Sequence, residues 1–380
     1  MAKKGSRLAN EFSWSFSRHS TFTECQKKYW YTYYGSWEGW PKTPFDSRES
    51  IDPLASHLYA LKQIQHLPMF IGSVVHETIE HFLKARQFSL QRERPTFEEL
   101  ISFADAKFHK GLEDTKNEAW RKAPKKHANL FEYYFGKQEK KGGADFDPFT
   151  AEVKQESERK IAQCLANWQN SPIAKMAFDT RASWLSIEEL SHFMLAGRYK
   201  ILVVIDFAMK WQQSQTQEAL VLFDWKTGAE SEKTEEQLYS YAIFANRTLQ
   251  MPYERIILSP FYLFTNKYTK IGYQQEVTLD LERVKEVEQN ILTSCEAMSA
   301  KIPTLTPLAT DPQPDPRLFS YTENRAMCPR CPFKNVCTKA DYQDRSKEEL
   351  TFLVTGEEEK EKLKMKTKAK EPENTLSFNF

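Results

Sequence analysis

Two short stretches decide how this chain reads: Val203-Val204-Ile205-Asp206 and Phe223-Asp224-Trp225-Lys226-Thr227-Gly228. Each is a run of strand-favouring apolar residues carrying a carboxylate. Side chains alternate faces along a strand, so Asp224 and Lys226 point the same way. The polar stretch 211–217 between the two runs suits a hairpin turn, and a hairpin about Gln215 sets Asp206 directly opposite Asp224. Two carboxylates that close repel each other unless a cation lies between them. A divalent ion removes the repulsion, and hard oxygen ligands suit magnesium or manganese. Lys226 beside such an ion can orient or deprotonate an attacking water, or neutralise charge on a phosphate. Each piece alone has a plainer explanation, as a carboxylate capping a turn or a strand running into Gly228. The two together, in this order, favour a metal-binding pair.

Outward from this centre, strands are expected over 182–190, 193–209 and 219–225. A helix over 230–249 follows, then a strand pair over 255–265 and 271–277, and a helix over 279–301. Upstream, 15–34 reads as a helix rich in aromatic residues. Positions 72–88 read as an amphipathic helix with Val75, Ile79, Phe82, Leu83 and Arg86 on one face, and 46–65 carries no clear signal. The stretch 95–171 is helical and charged, interrupted near Gly142 and Gly143. The pattern implies an α/β fold, a central mixed sheet flanked by helices with a helical insertion over 95–183, in a single domain over 1–347. A proline-rich loop over 303–316 leads into a cysteine-rich segment. Beyond it, 348–380 is a charged tail whose residues 357–373 are too poor in apolar side chains to pack.

Lysine and arginine number 53 against 52 aspartates and glutamates, so any DNA groove must come from local clustering. Candidates are the basic clusters 122–127 and 137–141, and Trp37 and Trp40, whose rings can stack on unpaired bases. A solvated charged face and core packing are the competing explanations. There is no Gly-x4-Gly-Lys-Ser/Thr loop, which excludes a helicase motor of that type, and no nucleophile elbow. The first ten residues are basic and polar with no apolar stretch behind them. The longest apolar run, 201–205, ends at Asp206. A soluble, cytoplasmic protein with no membrane span is expected.

In the expected helix over 230–249, Gln237 and Tyr241 stand four apart and share a face, with Leu238, Tyr241, Ala242 and Ala245 marking its buried side. Asp206, the Asp224/Lys226 pair and the Gln237/Tyr241 pair resemble successive motifs of RecB-like PD-(D/E)XK nucleases, which share a restriction-endonuclease-like core. That resemblance implies a further metal ligand, His76, in the Gly72-Ser73-Val74-Val75-His76 setting. It also implies catalytic roles for Asp206, Asp224, Lys226, Gln237 and Tyr241, with His76, Asp206 and Asp224 as ligands of Mg2+ or Mn2+. The chain has Asp224 where many relatives carry glutamate.

Of the six cysteines, Cys328, Cys331 and Cys337 crowd together, while Cys25, Cys164 and Cys295 are isolated in the sequence. Clustered cysteines in a reducing compartment suggest a metal site. The set Cys25, Cys328, Cys331 and Cys337 is similar to that of the iron–sulfur members of the family, among them the AddB nuclease domain, CRISPR-associated RecB-like nucleases and eukaryotic exonuclease five. The resemblance spans roughly residues 12–339 and implies a [4Fe–4S] cluster joining the two ends of the domain. By spacing alone, four thiolates suit zinc as well. Cys164 and Cys295 read as small buried residues.

The expected function is metal-dependent hydrolysis of DNA, with single-stranded or end-containing substrates, in repair, recombination or defence. The rival from another class is a nuclease-shaped DNA-binding or scaffold subunit of a helicase or repair complex. The terminal residues Leu376, Phe378 and Phe380 alternate like a short peptide that binds a sliding clamp, so a helicase or clamp is an expected partner.

Overall fold

A computed structural model describes residues 10–40, 52–89, 91–139, 146–214, 217–228, 232–264, 273–274, 277, 279–302 and 314–337. The tail, its terminal peptide and most of the proline-rich loop lie outside them. Helix α1 (Phe16–Glu24) starts at Ser15, whose hydroxyl accepts the Arg18 N–H. Cys25, extended at φ −164°, ends it, and its sulfur accepts the Lys28 N–H at 3.4 Å to cap α2 (Gln26–Trp30). A π-helical turn, Tyr31–Gly35, completes what the sequence presents as one helix over 15–34. Helix α3 (Pro53–Leu61) forms where no signal was clear. Asp52 accepts the N–H groups of Leu54 and Ala55, and Pro53 tolerates the first turn because it has no N–H to satisfy.

Helix α4 (Leu67–Arg86) begins more than a turn before position 72, with Pro68 at its start, and buries Val75, Ile79, Phe82 and Leu83. Arg86 lies over the Phe82 ring. Helices α5 (Phe97–Lys116), α6 (Phe131–Gln138), α7 (Ala151–Asn170) and α8 (Pro172–Ala177) follow, α5 opened by a reciprocal cap between Thr96 and Glu99. Then come β1 (Ala182–Leu195), β2 (Tyr199–Gln212), β3 (Glu218–Lys226), α9 (Glu232–Leu249), β4 (Ile256–Tyr262), the two-residue β5 (Tyr273–Gln274), α10 (Leu281–Ser299) and α11 (Lys334–Cys337). The sheet runs in the order β1-β2-β3-β4-β5. Among these five described strands β3 and β4 pair in parallel, made possible by the α9 crossover, and the other pairings are antiparallel, so the sheet is mixed and flanked by helices.

The first hairpin lies elsewhere than expected. The sequence reading breaks the first strand at 190 and starts the second at 193; the structure carries β1 to Leu195 and turns over Ala196 and Gly197, at φ 49° and 66°. Such a tight hairpin takes left-handed residues. Ser191 and His192 are polar because they lie on a half-exposed strand, not because they turn.

The chain builds two apolar clusters. One joins the N-terminal helices, α9 and α10 with Ile201, Val203, Ile205, Ala208, Leu220 and Leu222. The other joins α4, α5, α7 and α8 with Ile187, Phe207, Met209, Phe223 and Trp225. Residues two apart on a regular strand share a face. Ile205 and Phe207 instead pack in different clusters, so β2 switches faces at Asp206. Glu188 beside it on β1 takes φ 50°, left-handed for a residue with a Cβ, a conformation that costs energy and clusters at functional sites. The polar residues therefore gather where the two clusters meet. Among the described residues, no helix is long and apolar enough to cross a membrane.

Candidate functional site

The β2–β3 ladder pairs Phe207 with Phe223, Ala208 with Leu222 and Lys210 with Leu220. One further step in this register brings Asp206 against Asp224, as a hairpin about Gln215 requires. At that step Asp206 Oδ2 accepts the backbone N–H of Trp225 at 2.6 Å. On its other flank β2 pairs with β1, Phe207 opposite Ile187 and Ile205 opposite Glu189. Glu188 thus falls beside Asp206, and a row of three carboxylates crosses three strands.

Helix α4 delivers the histidine. His76 Nδ1 lies 3.4 Å from Glu188 Oε1 and 3.6 Å from Asp206 Oδ2. Ligand atoms of His76, Glu188 and Asp206 all fall within 4.8 Å of one another, and Asp224 lies outside this trio. Gly72, one turn before His76, explains how α4 comes so near: a Cβ there would stand 2.9 Å from Thr227 Oγ1, just beyond Lys226.

Asp224 is paired with Lys226. Lys226 Nζ stands 2.8 Å from Asp224 Oδ2 but out of hydrogen-bond alignment, so that buried oxygen has a charged neighbour and no aligned donor. Lys226 Nζ donates to Gln237 Oε1 at 3.1 Å, and Gln237 Nε2 donates to the Tyr241 hydroxyl at 2.5 Å. Asp224, Lys226, Gln237 and Tyr241 form one chain from β3 to α9. Leu238, Tyr241, Ala242 and Ala245 are buried, which locks the face of α9 that presents Gln237.

The electrostatics follow from burial. Desolvation raises Asp224 to about 6, helped by repulsion from Asp206 and opposed by Lys226. Desolvation likewise raises Asp206 to about 6, with His76 the strongest opposing charge. Burial alone would lower His76, but Asp206 and Glu188 outweigh it and lift the imidazole to about 9. Lys226 is held above its ordinary value because Asp224 and Asp206 outweigh its own desolvation. Two buried carboxylates that resist ionising, one oxygen without a donor, and a neighbouring imidazole make a donor set suited to a divalent cation.

Glu188 is absent from the sequence reading. Its signal is Gly197: a hairpin centred there aligns Glu188 with Asp206, just as one about Gln215 aligns Asp206 with Asp224. The misplaced strand boundary hid it.

The second cluster lies at the chain ends. Lys27 N–H donates to Ser320 O at 2.9 Å and Trp30 Nε1 to Pro314 O at 2.7 Å, while Tyr31 packs on Phe333 with centroids 5.3 Å apart. These contacts bring Cys25 to Cys328, Cys331 and Cys337, and all four line one cavity of about 450 Å3. Among the described residues no three of these sulfurs lie within 4.8 Å of one another. Burial raises the Cys331 thiol to about 11, and Cys337 and Cys25 add to the effect. Cys164 and Cys295 sit in the two apolar clusters.

The model of the PD-(D/E)XK nuclease superfamily matches residues 13–338. No curated protein matches. Among the matching solved structures is one described as "Crystal structure of SSO0001", 13% identical, covering 50% of this chain and 78% of that one, with a TM-score of 0.22.

Proposed function

The chain belongs to the PD-(D/E)XK nuclease superfamily, and on that premise we propose that it is a divalent-metal-dependent DNA nuclease of the RecB-like type, carrying an iron–sulfur cluster on Cys25, Cys328, Cys331 and Cys337. The observation that carries this reading is the meeting of His76, Glu188, Asp206, Asp224 and Lys226 at one seam of the fold. His76, Glu188 and Asp206, with Asp224 beside them, would hold magnesium or manganese. When bound, such an ion polarises a scissile phosphate and lowers the pKa of a ligated water. Lys226, beside Asp224, can steady the negative charge that builds on the phosphate or orient the attacking water. Gln237 and Tyr241 are positioning residues that aim Lys226.

At the cysteine site, zinc–sulfur bonds of about 2.3 Å would place tetrahedral sulfurs about 3.8 Å apart. The four cysteines line one cavity, and the resemblance to the iron–sulfur members of the family favours [4Fe–4S] over zinc there.

The deciding experiment is degradation of labelled single-stranded DNA by the purified chain in Mg2+ or Mn2+, with end-blocked and circular substrates alongside. Loss of open-ended DNA only assigns exonuclease action. A folded protein that binds DNA without cutting it in either ion overturns the catalytic reading in favour of a binding subunit.

A prediction about the metal site follows from His76. The imidazole is protonated at neutral pH and must be neutral to ligate, so binding releases a proton and affinity rises with pH up to about 9. Calorimetric Mn2+ titrations in two buffers of different ionisation enthalpy measure that proton. Glu188→Gln should weaken Mn2+ binding by about 10–100-fold, the range seen when a group at or behind a metal ligand is lost. Unchanged affinity would remove Glu188 from the site.

A further inference from the structure

Away from the carboxylates, α1 and the loop before α6 bring Arg18 and Lys125 close enough to Lys62, at the end of α3, for both charges to act on its ammonium. Among the described residues none of the three forms an ion pair with a carboxylate. Lys62, at the C-terminal end of α3, is half-buried. Its ammonium donates to Ser36 Oγ at 3.0 Å and Thr32 O at 3.4 Å, two of its three donors being so used among the described residues. Burial, then the charges of Arg18 and Lys125, lower it to about 8. Among the described residues no carboxylate neutralises these cations, and an anion arriving beside Lys62 relieves both the repulsion and the desolvation.

The surroundings are aromatic. Lys62 Nζ lies 4.9 Å from the Tyr59 ring centroid, and Arg18 Cζ lies 4.5 Å from that of Tyr33. Trp40 packs against Tyr59 at 5.7 Å and against Trp37 at 5.0 Å, and the Trp37 Nε1–H has no acceptor among the described residues. Cations interleaved with flat rings match a nucleic-acid strand, in which anionic phosphates alternate with bases that stack. An isolated inorganic anion makes no use of the rings.

We propose that Arg18, Lys62 and Lys125, with Tyr59 and Trp40 beside them, form a binding site for a backbone phosphate and adjoining base of a single DNA strand. This site rests on the nuclease reading for the identity of its ligand, and it is separate from the metal site. It also unites two sequence features that the metal site leaves unused, the 122–127 basic cluster and the Trp37/Trp40 pair.

The test is fluorescence anisotropy of a labelled oligothymidine strand with the full chain in EDTA, so that binding is read without cleavage, across a salt series. Lys62→Met should lose affinity about tenfold, with a log–log salt slope shallower by about 0.7, the loss expected for one phosphate contact to a single strand. Lys62→Arg should keep both near wild type. Lys62→Met with wild-type affinity and slope overturns the proposal. So does weakening by both variants with the slope unchanged, which marks a structural role. If the wild-type chain neither binds nor cuts DNA, the nuclease reading falls and takes this site with it. Cutting by the wild type beside an unaffected Lys62→Met removes this site alone.

Discussion

Asp224→Asn is expected to lower DNA cleavage by about a thousandfold, the upper range for removing one preorganised charge-stabilising group, while raising the metal-free protein's melting temperature by about 2 °C. The two effects share one cause. Asp224 has a pKa raised above its unfolded value, so ionising it costs the folded state free energy at neutral pH. That cost is fully present above about 6 and fades as pH falls through that value. An amide does not ionise and escapes it. Asp206→Ala and Lys226→Ala should also abolish cleavage with the fold intact, seen as an unchanged far-UV spectrum. Mn2+ should raise the melting temperature of the wild type and not that of Asp224→Asn. Cleavage persisting in both aspartate variants would sink the mechanism. A marked fall in stability of Asp224→Asn would show instead that the carboxylate is a structural partner of Lys226.

The second large effect is expected at the cysteines. The aerobically untouched protein should be brown and contain iron, and Cys25→Ser should lose the colour. Cys25 and Cys328 lie roughly three hundred residues apart, so a cluster joining them closes a very long loop, worth up to about 6 kcal/mol by chain-entropy reckoning. Other contacts already tie the ends, among them the Trp14–Ile201 bridge and the Lys27–Ser320 hydrogen bond, so the loss should be smaller than that ceiling. Chemical denaturation of wild type and Cys25→Ser measures it. A colourless protein with one equivalent of zinc, as stable after Cys25→Ser as before, would overturn the cluster.

The chain's own order determined a good deal. Alternation and apolar runs placed β3 and most of β2, because strand periodicity is local. Helical periodicity placed α9 and α10 nearly to their ends. The hairpin about Gln215 put Asp206 beside Asp224 because a hairpin's register follows from its turn. The link from Lys226 through Gln237 to Tyr241 was legible as a shared helix face, and the docking of Cys25 near Cys328 only through family resemblance.

Tertiary structure alone decided the rest. No local pattern says that α4 approaches the sheet through Gly72, since a glycine within a helix reads only as a weak helix former until its neighbour, here Thr227, is known. Nor does any local pattern give the switch of faces at Asp206, because a strand's period predicts that Ile205 and Phe207 stay together. Glu188 entered the site through that switch, at a left-handed φ of 50°. The convergence of Arg18, Lys62 and Lys125 was likewise invisible, since charges far apart in sequence acquire a common field only when α1, α3 and the loop before α6 are packed together. Local periodicity selected the elements and the registers of neighbouring strands; the long-range packing of two apolar clusters chose which side chains meet at their seam.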